Sequence, residues 1–437
     1  MLDIQFIRSH KEDISKAITD KGLNLDVEKL LAKAEERVAL IQEVEELKSL
    51  KNDINELIQK AKTPEERAEI IVKGKEIKVK LDEREPLFLA VKSEYDTLMA
   101  QVPNIPSEDT PIGKDESENV VLRQVGNKPE FEFPAKEHWE LGEALGIIDV
   151  ERAVKVSGSR SVYLKGDLVL LEFALMQFAF SVLTSEEKLA AIITENQLKV
   201  ATTPFIPVLP PVLIRPEIMA RMARHDPEEM YAIERDNLNL IGSAEHTLGA
   251  MYADEILEAA QLPIRLVGFS VAFRREAGSY GKDMKGFLRM HQFDKLEMES
   301  FTLPEQSRDE QDFMVAIQEH LMKALGIPYQ VVAICTGDMG KPDIRQIDIE
   351  AWMPGQNRYR ETNTSDLIGD FQARRLNTKI RRADGKTEFV HMNDATAFSQ
   401  RPLIAILENY QQADGSVVVP EVLRPFVGKD VIKPKNS

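Results

Sequence analysis

Basic, acidic and aromatic side chains share one face of a predicted β-hairpin between Phe269 and Glu299. The residues concerned are Arg274, Glu276, Arg289, His291, Phe293, Lys295 and Glu297. Arginine binds phosphate oxygens, a phenyl ring stacks on a purine, and a carboxylate binds an amino group or a metal. The pattern therefore predicts a site for a nucleoside triphosphate, with a charged, solvent-facing sheet surface as the open alternative.

The composition favours a globular protein of more than one domain. The chain has 437 residues, of which 43% are apolar and 30% charged, and its net charge of −17 argues against a broadly basic nucleic-acid binder. The single cysteine, Cys335, excludes a disulfide framework and a cysteine-rich zinc site and fits a reducing cytosol. The N-terminus has neither signal nor transit character, and no apolar run approaches the roughly 20 residues of a membrane span. We therefore predict a cytoplasmic protein.

A long antiparallel two-helix hairpin is predicted for residues 26–100, which contain almost no glycine or proline. Apolar residues recur at spacings of three and four, and Thr63-Pro64-Glu65-Glu66 is typical of a new helix start, so the tip is expected near Lys62 to Pro64. The region has 14 basic and 18 acidic residues. Its basic residues nevertheless cluster around the tip: Lys60, Lys62, Arg67, Lys73, Lys75, Lys78 and Lys80. A dimerisation coiled coil and a rod that contacts a large partner both fit this pattern.

The predicted nucleotide hairpin resembles motif 2 of the class II aminoacyl-tRNA synthetases, specifically the bacterial-type seryl-tRNA synthetase family. The resemblance rests on Phe273-Arg274-Arg275-Glu276-Ala277-Gly278 and on Arg289-Met290-His291-Gln292-Phe293-Asp294-Lys295-Leu296-Glu297. Leu240 to Glu245 is similar to the family's serine-binding loop, and Ile347 to Arg375 to its ATP–magnesium segment. Asn393 to Gln411 falls at motif 3, but Ala395 stands where the family carries a serine or threonine that contacts the substrate.

The resemblance implies an α+β fold, a class II synthetase antiparallel sheet flanked by helices, with an N-terminal antiparallel coiled-coil arm. The expected domains are a tRNA-binding arm at 1–105, a linker at 106–118 and a catalytic domain at 119–437. Residues 206–219 and 156–183 resemble the motif 1 region, which implies a homodimer. The implied partners are serine tRNA, contacted by the basic residues Lys60, Lys62, Arg67, Lys73, Lys75 and Lys78 of the arm, L-serine and ATP.

The resemblance also implies roles for individual residues. The expected ATP-binding residues are Arg274, Arg275, Glu276, Met290, Phe293, Glu361, Thr362, Asn363, Thr364 and Arg401, with Arg274 and Arg401 catalytic. Arg274 would bind the α-phosphate and Arg401 the γ-phosphate, while Glu276 would bind the adenine amino group and Phe293 would stack on the ring. Glu361 and Thr364 would hold Mg²⁺, and no zinc is expected. The expected serine-binding residues are Ser243, Ala244, Glu245, Glu297 and Thr396.

The implied reaction joins ATP and L-serine to give seryl-adenylate and pyrophosphate, and then transfers the seryl group to the 3′ end of serine tRNA. Whether selenocysteine tRNA is also a substrate is left open. One alternative is a synthetase paralogue that activates an amino acid for a non-tRNA acceptor. A second is a non-enzymatic coiled-coil interaction protein, which would not need Arg274, Glu276, Glu297 and Arg401 together.

Overall fold

The computed structural model describes residues 2–224, 228–277 and 285–434. It divides into two compact units, Met1–Ile105 and Pro106–Ser437. Within the described residues no single helix has the length and apolar character of a membrane span, although one helix pair, bent by 77°, meets those criteria jointly: Asp167–Leu183 and Glu186–Glu195. Gly278, the last residue of the first motif 2 segment, lies outside the described residues.

The first unit is helical, and its two long helices form the predicted hairpin. The helices are α1 (Ile4–Ser9), α2 (Lys11–Asp20), α3 (Val27–Lys60) and α4 (Pro64–Gln101). Thr63 caps α4 by accepting a hydrogen bond from the Glu66 backbone N–H at 3.2 Å, and the Glu66 carboxylate accepts one from the Lys62 N–H at 3.0 Å. These reciprocal bonds place the tip of the hairpin where the sequence predicts it.

The hairpin is packed at its base and largely solvated towards its tip. At the base, Ile14, Leu30, Tyr95 and Met99 belong to one buried apolar cluster. Residues 45–80, all of which the structure describes, include no fully buried side chain. Two isolated helices can bury only the seam between them, so ion pairs on their flanks, such as Lys48–Glu85 at 2.7 Å, supplement the apolar contacts.

The second unit is built on one eight-stranded sheet. The strands of the whole unit are β1 (Val120–Val125), β2 (Ile148–Asp149), β3 (Tyr163–Leu164), β4 (Ile206–Val208), β5 (Leu213–Ile214), β6 (Ala232–Ile233), β7 (Leu238–Leu240), β8 (Ile256–Glu258), β9 (Ile264–Phe273), β10 (Gln292–Thr302), β11 (Tyr329–Ala333), β12 (Arg345–Met353), β13 (Arg358–Gly369), β14 (Lys379–Arg381), β15 (Thr387–Phe389), β16 (His391–Ser399), β17 (Val417–Val418) and β18 (Val431–Ile432). The order in the large sheet is β1-β11-β12-β13-β16-β10-β9-β4. All neighbours are antiparallel except β4 and β9, so the predicted α+β class is confirmed.

Helices cover one face of the large sheet. The helices of this unit are α5 (His138–Leu145), α6 (Val150–Ser157), α7 (Asp167–Leu183), α8 (Glu186–Glu195), α9 (Pro216–Met222), α10 (Glu245–Leu248), α11 (Ser307–Ala324), α12 (Phe371–Leu376), α13 (Arg401–Asn409) and α14 (Arg424–Val427). Apolar residues of α7, α11 and α13 pack with those of β10, β12 and β16 in one buried core. The opposite face of the central strands is therefore left to carry polar residues.

The predicted strand bounds around the nucleotide hairpin differ from the observed ones. The first strand ends at Phe273, so Arg274 and Glu276 lie just beyond it, and Glu276 has a positive φ of 54°. The second strand begins at Gln292, so Arg289 and His291 precede it. The Arg274 N–H still donates to the His291 carbonyl at 3.0 Å, which keeps the two segments side by side beyond the regular ladder.

Candidate active site

A cavity of about 330 Å³ lies on the polar face of β10, β13 and β16. Most of the residues that were predicted from the sequence to bind ATP and serine line this cavity. Of those, the residues lining it are Glu245, Arg274, Glu276, Met290, Phe293, Glu297, Glu361, Thr362, Thr364, Thr396 and Arg401. Six of them lie on β10, β13 and β16, whose antiparallel pairing brings them together, and the other five come from α10, α13 and the segments between β9 and β10.

Four other residues that were predicted to bind ATP or serine are not among the described residues that line the cavity. Each makes its contacts with neighbouring parts of the protein. Ser243 is fully buried and accepts a hydrogen bond from Lys295 Nζ at 2.8 Å. Ala244 packs in an apolar cluster, and the Arg275 backbone N–H donates to the Glu229 carbonyl at 2.8 Å. Asn363 Nδ2 donates to the carbonyls of two β16 residues, Thr396 at 3.1 Å and Ala397 at 2.7 Å. Asn363 of β13 therefore links β13 to β16 through these hydrogen bonds.

One end of the cavity is rich in guanidinium groups. Arg274 Cζ lies 5.4 Å from the centre of the Phe293 ring, and its Nε donates to the Gly242 carbonyl at 3.0 Å. Arg401, in the first turn of α13, pairs through Nη1 with Glu361 Oε1 at 2.9 Å. Arginine side chains bind phosphate oxygens in a bidentate manner, and the ring offers a flat apolar surface beside them. This end can bind a polyphosphate next to an aromatic base.

A second group of lining residues is built around a buried ammonium group and carboxylates. Lys295 Nζ lies 2.7 Å from Glu297 Oε2 and 3.8 Å from Glu245 Oε2. Burial raises the pKa of Glu297 to about 8, with further increases from Glu245 and Asp394, and Lys295 only partly opposes the shift. At Glu245 burial is outweighed by Lys295 and other nearby cations, so its pKa is lowered. Of the two carboxylates beside Lys295, Glu245 therefore stays ionised and Glu297 titrates near neutral pH.

His246 fixes the loop that carries Ser243 and Glu245. Its Nδ1 accepts a hydrogen bond from the Gly242 N–H at 3.2 Å, so the ring must be deprotonated at that nitrogen. Burial lowers the pKa of His246 to about 4, which keeps the ring neutral and the hydrogen bond intact at physiological pH. The loop is thereby held against Arg274 and Lys295.

A β-bulge in β16 decides which motif 3 side chains reach the cavity. Leu296 pairs with Phe398 but Glu297 pairs with Thr396, so Ala397 is the extra residue. Ala395, Ala397 and Phe398 all belong to the apolar core, whereas Asp394, Thr396, Ser399 and Arg401 line the cavity. Ala395 therefore points away from the cavity, and the hydroxyl that faces it is that of Thr396.

Several residues that line the cavity were not predicted from the sequence. These are Arg224, Asp343, Gln346, Asp366 and Asp394. Arg224 Nη2 contacts Asp343 at 3.3 Å, Asp366 at 2.8 Å and Asp394 at 2.8 Å. Arg224 and its three partners come from four separate segments, so only the folded chain brings them together. A local pattern that indicates carboxylates on this face of the sheet occurs in β10, where Glu297 and Glu299 are two residues apart and therefore share a face.

The eight-stranded sheet and a cavity with cationic and carboxylate ends define a class II aminoacyl-tRNA synthetase. A model of the tRNA synthetase class II core domain (G, H, P, S and T) matches residues 231–410, and a model of the seryl-tRNA synthetase N-terminal domain matches residues 1–106. The chain belongs to the seryl-tRNA synthetase family.

Full-length relatives and solved structures agree with this assignment. The chain is 39% identical over 442 residues to the serine–tRNA ligase of Thermodesulfovibrio yellowstonii, covering 99% of this chain and 100% of the relative. It is 38% identical to that of Rubrobacter xylanophilus, covering 99% of each chain. The crystal structure of seryl-tRNA synthetase from Pyrococcus horikoshii complexed with ATP superposes with a TM-score of 0.83 at 35% identity, covering 99% of this chain and 100% of that chain. The serine–tRNA ligase of Naegleria fowleri in complex with AMP gives 0.80 at 29%, covering 100% and 99%.

Proposed function

We propose that this chain activates L-serine with ATP and transfers it to serine tRNA. The observation that carries the proposal is that one cavity is lined both by Arg274 and Arg401 with Phe293 and by Lys295, Glu245 and Glu297. ATP brings negatively charged phosphates and the amino acid brings a positively charged ammonium group. Together the two substrates match the arginines and the carboxylates of the cavity. The serine carboxylate attacks the α-phosphorus, the bond to pyrophosphate breaks, and seryl-adenylate forms.

The residues at the cationic end act on ATP. Arg274 binds the α-phosphate and stabilises the charge that develops on it, and Arg401 binds the γ-phosphate. Phe293 stacks on the adenine, and Glu276 accepts a hydrogen bond from its amino group. The step needs no general base, because the attacking carboxylate is already ionised and alignment with the phosphate supplies most of the acceleration.

The residues at the other end hold serine. Glu245, which stays ionised, binds the ammonium group, while Glu297 and Thr396 bind the hydroxyl. A polar pocket of this kind rejects alanine, because alanine would leave its buried acceptors without a partner. Lys295 keeps both carboxylates in place through its contacts at 2.7 and 3.8 Å.

Serine binding should strengthen as the pH rises towards 8. The pKa of Glu297 lies at about 8, so the side chain is mainly protonated below that pH and becomes a full hydrogen-bond acceptor above it. We expect the KM for serine to fall by up to about tenfold per pH unit between pH 6 and 8, with a smaller change in kcat. Steady-state exchange kinetics across this range measure it. In Glu297→Gln the slope should disappear, and a variant that keeps the slope would assign it to another group.

Glu361 and Thr364 are the residues that would hold Mg²⁺ with ATP. The Glu361 side chain is 48% exposed, and Thr364 Oγ1 lies 3.5 Å from its Oε1. Within the described residues no group of three or more His, Cys, Asp or Glu side chains could hold a metal by itself. A carboxylate and a hydroxyl fit Mg²⁺, which commonly takes its remaining ligands from phosphate and water. When bound there, the ion neutralises charge on the phosphate oxygens.

Removing the carboxylate at position 361 should weaken the use of Mg²⁺. We expect Glu361→Gln to raise the Mg²⁺ concentration for half-maximal ATP–pyrophosphate exchange by about 10- to 100-fold. The matched control is Glu258→Gln, since Glu258 is exposed and pairs with Arg381 in a small separate sheet. An unchanged Mg²⁺ dependence in Glu361→Gln would place the ion on other groups.

Two partner surfaces belong to the same proposal. The hairpin of α3 and α4 contacts serine tRNA, and its exposed basic residues near the tip supply contacts to phosphate. A second copy of the chain covers exposed apolar side chains of the second unit, which include Phe173 at 58%, Leu170 at 47% and Leu209 at 82% exposure. Apolar groups this exposed on a helix and beside an edge strand are typical of an interface between subunits.

Charging of tRNA tests the complete proposal. The purified chain, ATP, Mg²⁺ and labelled serine are mixed with serine tRNA, and acid-precipitable label is counted. The expected result is label on the tRNA that alkali releases, as for an ester of the terminal ribose. Adenylate formation without any transfer to tRNA would instead support the alternative acceptor.

A further inference from the structure

Three carboxyl groups stand in one row across adjacent strands, and two of them, Asp366 and Asp394, line the cavity. In the sheet register Glu299 of β10 is paired with Asp394 of β16, and Asp394 is paired with Asp366 of β13. We call Glu299, Asp394 and Asp366 the carboxylate row. Like charges placed directly opposite each other destabilise a sheet, so the row needs positive charge from elsewhere.

Among the described residues, the ion pairs of the row supply less positive charge than its three carboxyl groups could balance. Arg224 is the cation that contacts it, and one nitrogen of its guanidinium, Nη2, bonds to Asp366, Asp394 and also Asp343. Asp366 and Asp394 have side chains only 6% and 5% exposed. Burial raises the pKa of Glu299 and the pKa of Asp366, so these carboxyl groups keep a proton unless a further bound cation favours their ionised form.

Several oxygens of the row are buried without a hydrogen-bond partner among the described residues. Both carboxylate oxygens of Glu299 are in this state, although Glu299 is fully buried. Oδ1 of Asp366 is also unpartnered, and Asp366 and Asp394 line the cavity directly. Burial raises the pKa of Asp394 to about 6, although Arg224 opposes the shift. Glu299 lies behind the described lining, whereas Asp366 belongs to it, so the unpartnered Oδ1 of Asp366 is the acceptor that indicates a ligand with a hydrogen-bond donor.

The row lies next to the proposed serine subsite. Glu297 and Glu299 are two residues apart on the same face of β10, which places the row about 7 Å further along the strands. On β16, Thr396 and Asp394 have the same relation. A side chain attached to an amino acid that is held at Glu245 and Glu297 can therefore point towards the row.

We propose that the carboxylate row extends the amino-acid subsite and binds a positively charged side-chain end, so that the cavity accepts small α,ω-diamino acids as well as serine. This inference rests on the proposed adenylation function and names a further substrate class for the same site. The chemistry is unchanged: the α-carboxylate attacks the α-phosphorus of ATP and pyrophosphate leaves. The side-chain ammonium group stays protonated, takes no part in bond making, and donates its hydrogens to the row.

ATP–pyrophosphate exchange with matched pairs of amino acids tests the proposal. Each diamino acid is compared with its uncharged analogue of similar size: 2,3-diaminopropionate with 2-aminobutyrate, and 2,4-diaminobutyrate with norvaline. We expect at least one diamino acid to support exchange at a rate tenfold or more above its analogue. Equal rates within both pairs, with serine active, would overturn this inference and leave the proposed function standing.

A variant of the row separates its contribution from general damage to the site. Asp394→Asn keeps the size of the side chain but removes its charge, and we expect the ratio of diamino-acid to serine exchange to fall at least tenfold. The control Asp384→Asn changes an exposed aspartate that pairs with Lys386, and its ratio should stay constant. An unchanged ratio in Asp394→Asn, with serine exchange retained, would contradict the role of the row.

If neither diamino acid supports exchange, a direct binding measurement shows whether the subsite binds them. Calorimetric titration of the unmodified chain with 2,3-diaminopropionate and 2,4-diaminobutyrate, in the presence of a non-hydrolysable ATP analogue, should give a dissociation constant for one of them at least tenfold lower than for its analogue. That preference without exchange by either diamino acid would support the subsite but contradict adenylation of the diamino acids. No preference in either pair would overturn the subsite itself.

Discussion

Arg274→Ala is expected to lower serine-dependent ATP–pyrophosphate exchange by about 10²- to 10³-fold. Arg274 lies at the cationic end of the cavity beside Phe293. In the proposed mechanism it stabilises charge that grows on the α-phosphate in the transition state, and loss of one such preorganised donor commonly costs this factor in kcat. Because binding of ATP uses other groups as well, the KM for ATP should rise much less than kcat falls.

The control for Arg274 is an arginine of the same unit that lies outside the cavity. Arg381 is 49% exposed and pairs with Glu258, so Arg381→Ala should leave exchange within about twofold. Thermal unfolding of both variants shows whether a loss of activity reflects a loss of folding. A folded Arg274→Ala protein with normal exchange would remove Arg274 from the mechanism.

Neutralising the basic tip of the hairpin is expected to abolish efficient charging of tRNA without affecting adenylation. The variant changes six exposed residues to glutamine: Lys60, Lys62, Arg67, Lys73, Lys75 and Lys78. Each contact to a phosphate adds affinity through release of counterions, so their joint loss should raise the KM for serine tRNA by about 100-fold or more and flatten its salt dependence. Aminoacylation kinetics at two salt concentrations measure both effects.

Serine-dependent exchange in the same variant should be unchanged, because the substituted residues lie in the N-terminal unit and the adenylation cavity in the other. Lys386→Gln is a useful single control, since its side chain is 84% exposed in the C-terminal unit. If the six-residue variant charged tRNA normally, the tip would not be the RNA contact, and the coiled coil would need another role.

Local sequence patterns predicted the elements that are defined by their own residues. The hairpin follows from its apolar spacing and from Thr63-Pro64-Glu65-Glu66, whose side chains satisfy the backbone of the new helix regardless of the rest of the fold. The same holds for the strand that carries Phe293, Lys295 and Glu297, whose alternation places all three on the cavity side. The resemblance to motif 2 then indicated the chemistry.

The remaining features depend on how distant segments pair. Counting residues along motif 3 placed Ala395 at the position of the family's substrate-contacting serine or threonine, with Thr396, the residue expected to bind serine, beside it. The bulge at Ala397 breaks the alternation, and it is Thr396 that faces the cavity. Single strands contain no signal for such a bulge. In the same way, Asp366 and Asp394 look like ordinary polar residues until the register of β13 and β16 places them opposite each other beneath Arg224.

Amino-acid-dependent ATP–pyrophosphate exchange with serine and alanine tests the central claim most directly. It reports formation of the adenylate alone and requires both ends of the cavity to act together. We predict exchange that depends on serine and exceeds that with alanine by at least about 100-fold, because alanine leaves the acceptors of Glu297 and Thr396 without a donor. Equal exchange with the two amino acids, or none with either, would contradict the assignment of this cavity to serine activation.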